Sequence, residues 1–319
     1  MIHRPMQEEE NNLGGGCELP NRSNSAQNAA PVPAVPRPEV LHESQPSRLG
    51  VDELQGAVNL QATPIVNDPE IELEQNIARV DTLKAELDKL RPLSHELQKK
   101  LLDEFCVRYT YDSNAIEGNS LSLKETELVL LRGVTIGGKP LKDHQEVQGH
   151  RDAFYQMVQM ADNKTPLTKE SIIDLHSLVL AGSLEQTGSY RRGGVIVTNS
   201  TEYPPHFEFV PQLMDDLLEY MPASPIHPIE KIAYFHLDFE RTHPFFDGNG
   251  RTGRLLMNLQ LMQHGYAPIN IKYADVDRYY LCFKDYFATH RANILVNLIA
   301  EYLSAEIKLW INAFIQTTR

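Results

Sequence analysis

Cysteine is scarce in this sequence: Cys17, Cys106 and Cys282 stand in unrelated settings, with no CxxC spacing and no Cys/His pairing. That excludes a disulfide framework or a zinc site read from spacing and makes a reducing compartment the simpler expectation. Long apolar runs are missing too. No stretch approaches the roughly 20 residues of a membrane span, and the opening MIHRPMQEEENN lacks the apolar core of a signal peptide. The expectation is a soluble protein of the cytoplasm or nucleus with no membrane partner. Positive charge is in deficit, 30 Lys and Arg against 43 Asp and Glu, for a formal charge of −13. Phosphate backbones are held by clustered Lys and Arg, so non-specific nucleic-acid binding is excluded and any nucleotide must be bound locally. What is present, 319 residues of which 41% are hydrophobic, suffices for one or two domains with a sizeable core.

The first 67 residues are rich in Asn, Ser, Gln and Pro, and they lack a sustained apolar period. Such a segment cannot bury enough surface to offset its ordering entropy, so it reads as a disordered tail. Gly14-Gly15-Gly16 lies there without a flanking strand or helix and reads as linker. From Asp68-Pro69 onward Leu73, Ile77, Val80, Leu83, Leu87 and Leu90 recur at steps of three and four, an amphipathic helix ended by Pro92. Lys84 interrupts the heptad that a coiled coil needs, which favours packing within the same domain. Further helices are predicted over 94–110, 122–132, 143–160, 168–181, 211–221, 228–241, 249–264, 275–289 and 291–315. Ser122 and Glu125 make a capping box and Gly133 a stop. The chain reads as mainly α, with one interruption at Arg191–Phe209. There Val195-Ile196-Val197-Thr198, the turn-like Asn199-Ser200, Tyr203-Pro204-Pro205 and Phe207-Glu208-Phe209 predict a β-hairpin.

The segment HPFFDGNGRTGR, His243 to Arg254, gathers a base, a carboxylate, two glycines around an amide and two guanidinium groups. Gly248 and Gly250 remove side chains where backbone must approach a ligand and let consecutive N–H groups converge on an anion. Asn249 can add a side-chain donor. The apolar pattern Leu255, Leu256, Leu259, Met262 begins directly afterwards, so the loop opens onto a helix N-terminus whose dipole favours a phosphate. Arg251 and Arg254 share a face of its first turn, where two forks can grip adjacent phosphates. Asp247 suits Mg²⁺, which commonly takes one or two carboxylates plus substrate oxygens. His243 can accept a proton from an attacking hydroxyl. Taken singly, a lone His is more often structural, GNG a turn, Asp247 a helix cap and an Arg pair a solvated face. No turn or cap requires all of these residue types together.

This segment resembles the HPFx[DE]GNGRxxR signature of the Fic (Fido) family, with every signature position filled. The resemblance implies a helical Fic fold with a β-hairpin flap, and Mg²⁺-dependent transfer of AMP from ATP to a Ser, Thr or Tyr hydroxyl of a target protein. His243 would be the base, Asp247 the metal ligand, Gly248, Asn249, Gly250 and Arg251 the phosphate cradle, and Arg254 the γ-phosphate ligand, with Thr252 and Gly253 inside the same nucleotide site. Similarity extends over roughly residues 100–315 and reaches the metazoan endoplasmic-reticulum AMPylator subgroup. Gly188-Ser-Tyr190-Arg191 and Val195-Ile196-Val197 resemble the start of that subgroup's flap, where Ile196, Val197, Thr198 and Asn199 would border the nucleotide. The flap, 191–209, would dock the target backbone, as an exposed strand can. Tyr279-Tyr280 matches a pair near the adenine, although two aromatics in a core helix read equally well as packing. The chain departs from the subgroup at Tyr286, where an Asn is expected, and lacks its membrane segment and tetratricopeptide repeats.

Ser113-Asn-Ala-Ile-Glu117-Gly118-Asn119 resembles the family's inhibitory motif [ST]xxxE[GN]. By themselves Ser113 reads as a helix N-cap and Glu117 as an exposed acid. Beside the signature, Arg254 becomes the obvious guanidinium for Glu117 to engage. If that pair forms, Arg254 cannot hold a γ-phosphate, and ATP would settle misaligned for in-line attack. The implied organisation is a tail at 1–67, N-terminal helices with the inhibitory motif at 68–135 and a Fic domain at 136–319. Alternatives left open are removal of AMP from the same target, transfer of another phosphate-bearing group, and a non-catalytic helical adaptor. A homodimer is also admitted.

Overall fold

A computed structural model describes residues 69–181, 188–197 and 203–317. The expected tail at 1–67, and Thr198 and Asn199 of the expected nucleotide site, lie outside the described residues. The described residues belong to one compact unit, Thr63–Arg319. They form ten α-helices and two short 3-10 turns. Among them no helix is long and apolar enough to cross a membrane.

Helix α1 (Pro69–Asp88) begins on a proline, which costs nothing at the first helical position because that N–H has no intrahelical acceptor. It lays Val80 and Leu87, both 0% exposed, against α10 (Asn293–Thr317). The apolar stripe therefore packs within its own unit. Helix α2 spans His95–Ile116, with Ser94 accepting from the Leu97 amide at its start. It runs further than the 94–110 expected. Tyr109, Ser113 and Ile116 point into the interior, and Asn114 returns its amide to the Thr110 carbonyl at 2.8 Å, so the last turn is stabilised by packing and a local bond. Ser113 thus sits inside a helix and is no N-cap, and Glu117 is the C-cap, before Gly118 at φ 90°. Helix α3 (Leu123–Arg132) carries the expected Ser122–Glu125 capping box and stops at left-handed Gly133.

At the centre lies α8 (Asn249–Gln263), packed by α4 (Leu141–Asp162), α5 (Lys169–Val179), α7 (Pro228–Thr242) and α2. Leu255, Leu256, Leu259 and Leu261 are all 0% exposed. Arg251, Thr252, Arg254 and Asn258 are buried alongside these leucines, so the helix is enclosed on its polar as well as its apolar faces. Removing one such leucine side chain costs about 2–5 kcal/mol. The helix that carries the Gly-rich loop is therefore the rigid axis of the molecule.

The segment 191–209 departs from the expectation. Among the described residues no β-strand is present, and Phe207–Phe209, read as the second hairpin arm, forms a 3-10 turn leading into α6 (Val210–Ala223). Pro204 and Pro205 cannot donate to a ladder. The Gly193 and Pro205 carbonyls, one on each arm, are taken by the Arg191 guanidinium at 3.0 and 2.5 Å.

Candidate active site

Helix α7 ends at His243, whose backbone is left-handed (φ 48°) and whose N–H bonds the Phe239 carbonyl at 2.9 Å. The turn delivers the imidazole to a cavity of about 760 Å³. Glu117, Ile196, Val197, Glu240, His243, Asp247, Gly250, Arg254, Tyr279 and Tyr280 all line it. That volume falls within the range of small-molecule sites. Burial holds the imidazole below its ordinary range and the Arg191 charge acts the same way, while the Glu240 carbonyl and the Glu117 and Asp247 carboxylates act against both. The result is a neutral ring able to take a proton near neutral pH.

Gly248 enters α8 at φ 77°, a conformation that side chains resist, and a Cβ there would meet Leu180 at 3.2 Å. Beneath it the loop is heavily braced. Asn249 is 2% exposed, donates to the Phe245 carbonyl and accepts the Phe245 amide, both at 2.9 Å. Its side chain therefore holds the shape of the loop from a buried position. His176 stacks on Phe245 at 3.6 Å between centroids and bonds the Asp247 carbonyl through Nε2 at 3.0 Å. Burial pushes its pKa down to about 4.

Arg251 is 1% exposed and lies between Glu146 of α4 and Asp247, 3.1 Å from each. Its Nη1 faces Glu146 as an ion pair without hydrogen-bond alignment, and Nε has no partner. Asp247 Oδ1 also accepts the Gly248 amide at 2.6 Å. Among the described residues no group of three or more metal-ligating side chains is present. Asp247, about a third exposed on the cavity wall, fits Mg²⁺ only in the manner of a single carboxylate whose other ligands are phosphate oxygens and water. Thr252 is fully buried and Gly253 sits against Glu240 and His236, so neither faces the cavity as a donor.

Arg254, also 1% exposed, donates through Nε to Ser113 Oγ at 3.0 Å and through Nη2 to the Ser113 carbonyl at 2.9 Å and Glu117 Oε1 at 2.8 Å. Its guanidinium carbon is 5.8 Å from the Tyr279 ring centroid. Burial works against this charge, but the neighbouring Glu117 carboxylate outweighs it and holds the pKa above its usual range. Glu117 Oε1 lies 2.3 Å from where a Cβ on Gly250 would stand. The carboxylate thus occupies the N-terminal turn of α8, where unsatisfied N–H groups and the dipole favour an anion.

Four participants escaped the sequence reading. Glu146 and His176 carry no local pattern that names their partners. Arg191 was visible only as part of the flap. Glu240, three residues before His243, places Oε1 without a partner against Gly253, and burial pushes its pKa up to about 8.

Comparison with known proteins bears on this geometry. Residues 166–261 match the Fic/DOC family. The chain is 31% identical over 238 residues to protein adenylyltransferase fic-1 of Caenorhabditis elegans, covering 71% of this chain and 45% of that one. It is 34% identical over 209 residues to protein adenylyltransferase Fic of Nematostella vectensis, covering 63% and 48%. The chain spans about half the length of the curated relatives it matches. A Fic domain containing signaling protein of Bacteroides thetaiotaomicron has a similar fold, with TM-score 0.69 and 28% identity over 75% of this chain and 97% of that one. The structure of Fic-1 from C. elegans gives TM-score 0.65 and 29% identity, covering 75% and 71%.

Proposed function

Because the chain carries a domain of the Fic/DOC family at residues 166–261, we propose that it transfers AMP from ATP to a Ser, Thr or Tyr hydroxyl of a target protein. The observation that carries this reading is a neutral imidazole, His243, sharing one cavity with the N-terminal turn of α8 and the buried Arg254. The His243 ring takes the hydroxyl proton, the oxygen attacks the α-phosphorus, and the bond to the leaving pyrophosphate breaks. The first turn of α8 receives the phosphate charge through its free N–H groups. Asp247 would hold Mg²⁺, which when bound neutralises phosphate oxygens. Tyr280, 48% exposed, offers an aromatic face to the adenine, while Tyr279, 1% exposed with its hydroxyl 2.7 Å from His236 Nε2, packs behind it. The segment 191–209 receives the target.

Glu117 makes the resting enzyme weak, because a carboxylate already holds the guanidinium that a γ-phosphate needs. The 2.8 Å contact between Glu117 and Arg254 supports this reading. A charge-assisted hydrogen bond contributes about 1.5–3 kcal/mol, so Glu117→Gly is expected to raise AMP transfer and auto-modification roughly 10- to 100-fold. His243→Ala in the same background is expected to remove about 10²- to 10⁴-fold. Labelled ATP with mass detection of the adenylyl group measures both, and equal activity of wild type and Glu117→Gly would remove the brake. Glu117, a third exposed beside His243, also supports a second reading in which it aligns water to hydrolyse AMP from the modified target. Competition among the four nucleoside triphosphates separates AMP transfer from transfer of another group.

A further inference from the structure

Arg191 is a cation buried to 3% exposure, and no carboxylate pairs with it among the described residues. Burial lowers its pKa. Carbonyl dipoles do the work of a counter-ion. Nε donates to the His243 carbonyl at 2.7 Å, Nη1 to Gly193 at 3.0 Å, and Nη2 to Pro205 at 2.5 Å and Thr242 at 3.4 Å. Its own amide donates to the Pro244 carbonyl at 2.8 Å. One side chain therefore spans two places that chain connectivity leaves independent. Gly193 and Pro205 belong to the two arms of 191–209, while Thr242, His243 and Pro244 form the left-handed corner that aims the imidazole. A planar fork with five donors in fixed directions can bridge both, whereas an ammonium cannot reach both arms and the corner in one geometry.

We propose that Arg191 is a positioning residue that sets the distance between the target-receiving segment and the backbone of His243, so that target hydroxyl and imidazole meet in register. This rests on the proposed role of His243 and of 191–209. Arg191 does not touch the reacting atoms. Its charge has a second effect on the same ring, since it joins burial in keeping the imidazole neutral, against Glu240, Glu117 and Asp247. A residue that merely filled space would not influence that protonation.

The full chain with Glu117→Gly is compared with the same chain carrying Arg191→Met or Arg191→Lys. In the Met variant the KM for ATP stays within about twofold while kcat falls roughly 100-fold, the scale of a misplacement near 1 Å. The acid limb of kcat moves to higher pH, because a ring relieved of the nearby cation binds a proton more readily. Arg191→Lys keeps the charge and restores the acid limb, but its kcat remains low. Hydrogen exchange of the same proteins, which needs no activity, is expected to show amides of 192–197, 203–209 and 243–246 losing protection together in the Met variant while α8 is unchanged. Unchanged kcat and acid limb in an active Glu117→Gly background, or independent exchange of the two regions, would overturn the proposal. If Glu117→Gly itself transfers no AMP, the functional reading fails, and joint loss of protection still decides for or against the clamp.

Discussion

The loop from His243 to Arg254 and the segment 191–209 border the same cavity but are held in opposite ways. In the loop almost every polar side chain is committed: Asn249 to Phe245, Arg251 to Glu146 and Asp247, Arg254 to Ser113 and Glu117. The segment 191–209 leaves Ile196 85% and Tyr203 86% exposed, and Arg191 ties both its arms to the rest of the molecule. The loop gains rigidity from α8, which the whole core encloses. Among its described residues the segment is attached through Gly193 and Pro205 and keeps Ile196 and Tyr203 in solvent, which fits the proposed meeting with a target.

The contrast breaks most severely at Asn249. Replacing it by Ala strands a buried donor and acceptor at Phe245, each costing about 1–3 kcal/mol, so the unfolding free energy from urea titration is expected to fall by about 2–6 kcal/mol and AMP transfer to drop with it. A variant as stable as wild type would show that Asn249 is not the brace.

A smaller effect sharpens the comparison through Glu240, on the wall between loop and core. Its carboxyl pKa is raised from 4.5 to about 8 by burial, with Arg254 opposing and Glu117 reinforcing the shift. A group whose folded pKa is raised stabilises fully below its unfolded pKa, and that contribution is lost as pH rises through the folded value. Glu240→Gln cannot ionise, so its thermal midpoint is expected to gain on wild type between about pH 4.5 and 8, the window of that shift. Glu240 keeps some surface on the cavity, which holds the gap below the ceiling of about 1.4 kcal/mol per pH unit. A constant gap across that range would show that the carboxyl is already ionised in the fold.

The smallest effect belongs to the flap. Tyr203→Ser removes a ring that touches little, and unfolding free energy is expected to change by no more than about 0.5 kcal/mol. Transfer to the target falls while ATP binding, followed by calorimetry, does not. Loss of stability beyond that would mean the flap is braced as firmly as the loop.

The loop could be read in advance because its needs are local. Glycines at the turn, arginines one helical turn apart and an apolar period after them lie within one stretch of sequence. The pairing of Glu117 with Arg254, 137 residues apart, was expected only through the resemblance of Ser113–Asn119 to the family's inhibitory motif. Three things were hidden. Asn249 looked like a donor for phosphate because sequence does not say which way an amide faces. Glu146 resembled any acid on a helix, since its partner lies on α8. The β-branched run Val195-Ile196-Val197-Thr198 suggested a strand, but none is present among the described residues, where Gly193 and Pro205 on either side of that run give their carbonyls to Arg191.

Residue order alone determined the helices, through periodicity and caps that act over a few residues, and it marked the Gly-rich turn at the head of α8. Tertiary packing decided which charges share that turn, where the imidazole points and how the flap is anchored. Those outcomes depend on burial and on hydrogen bonds between distant segments, and the strength of such bonds is set by the surroundings the fold creates.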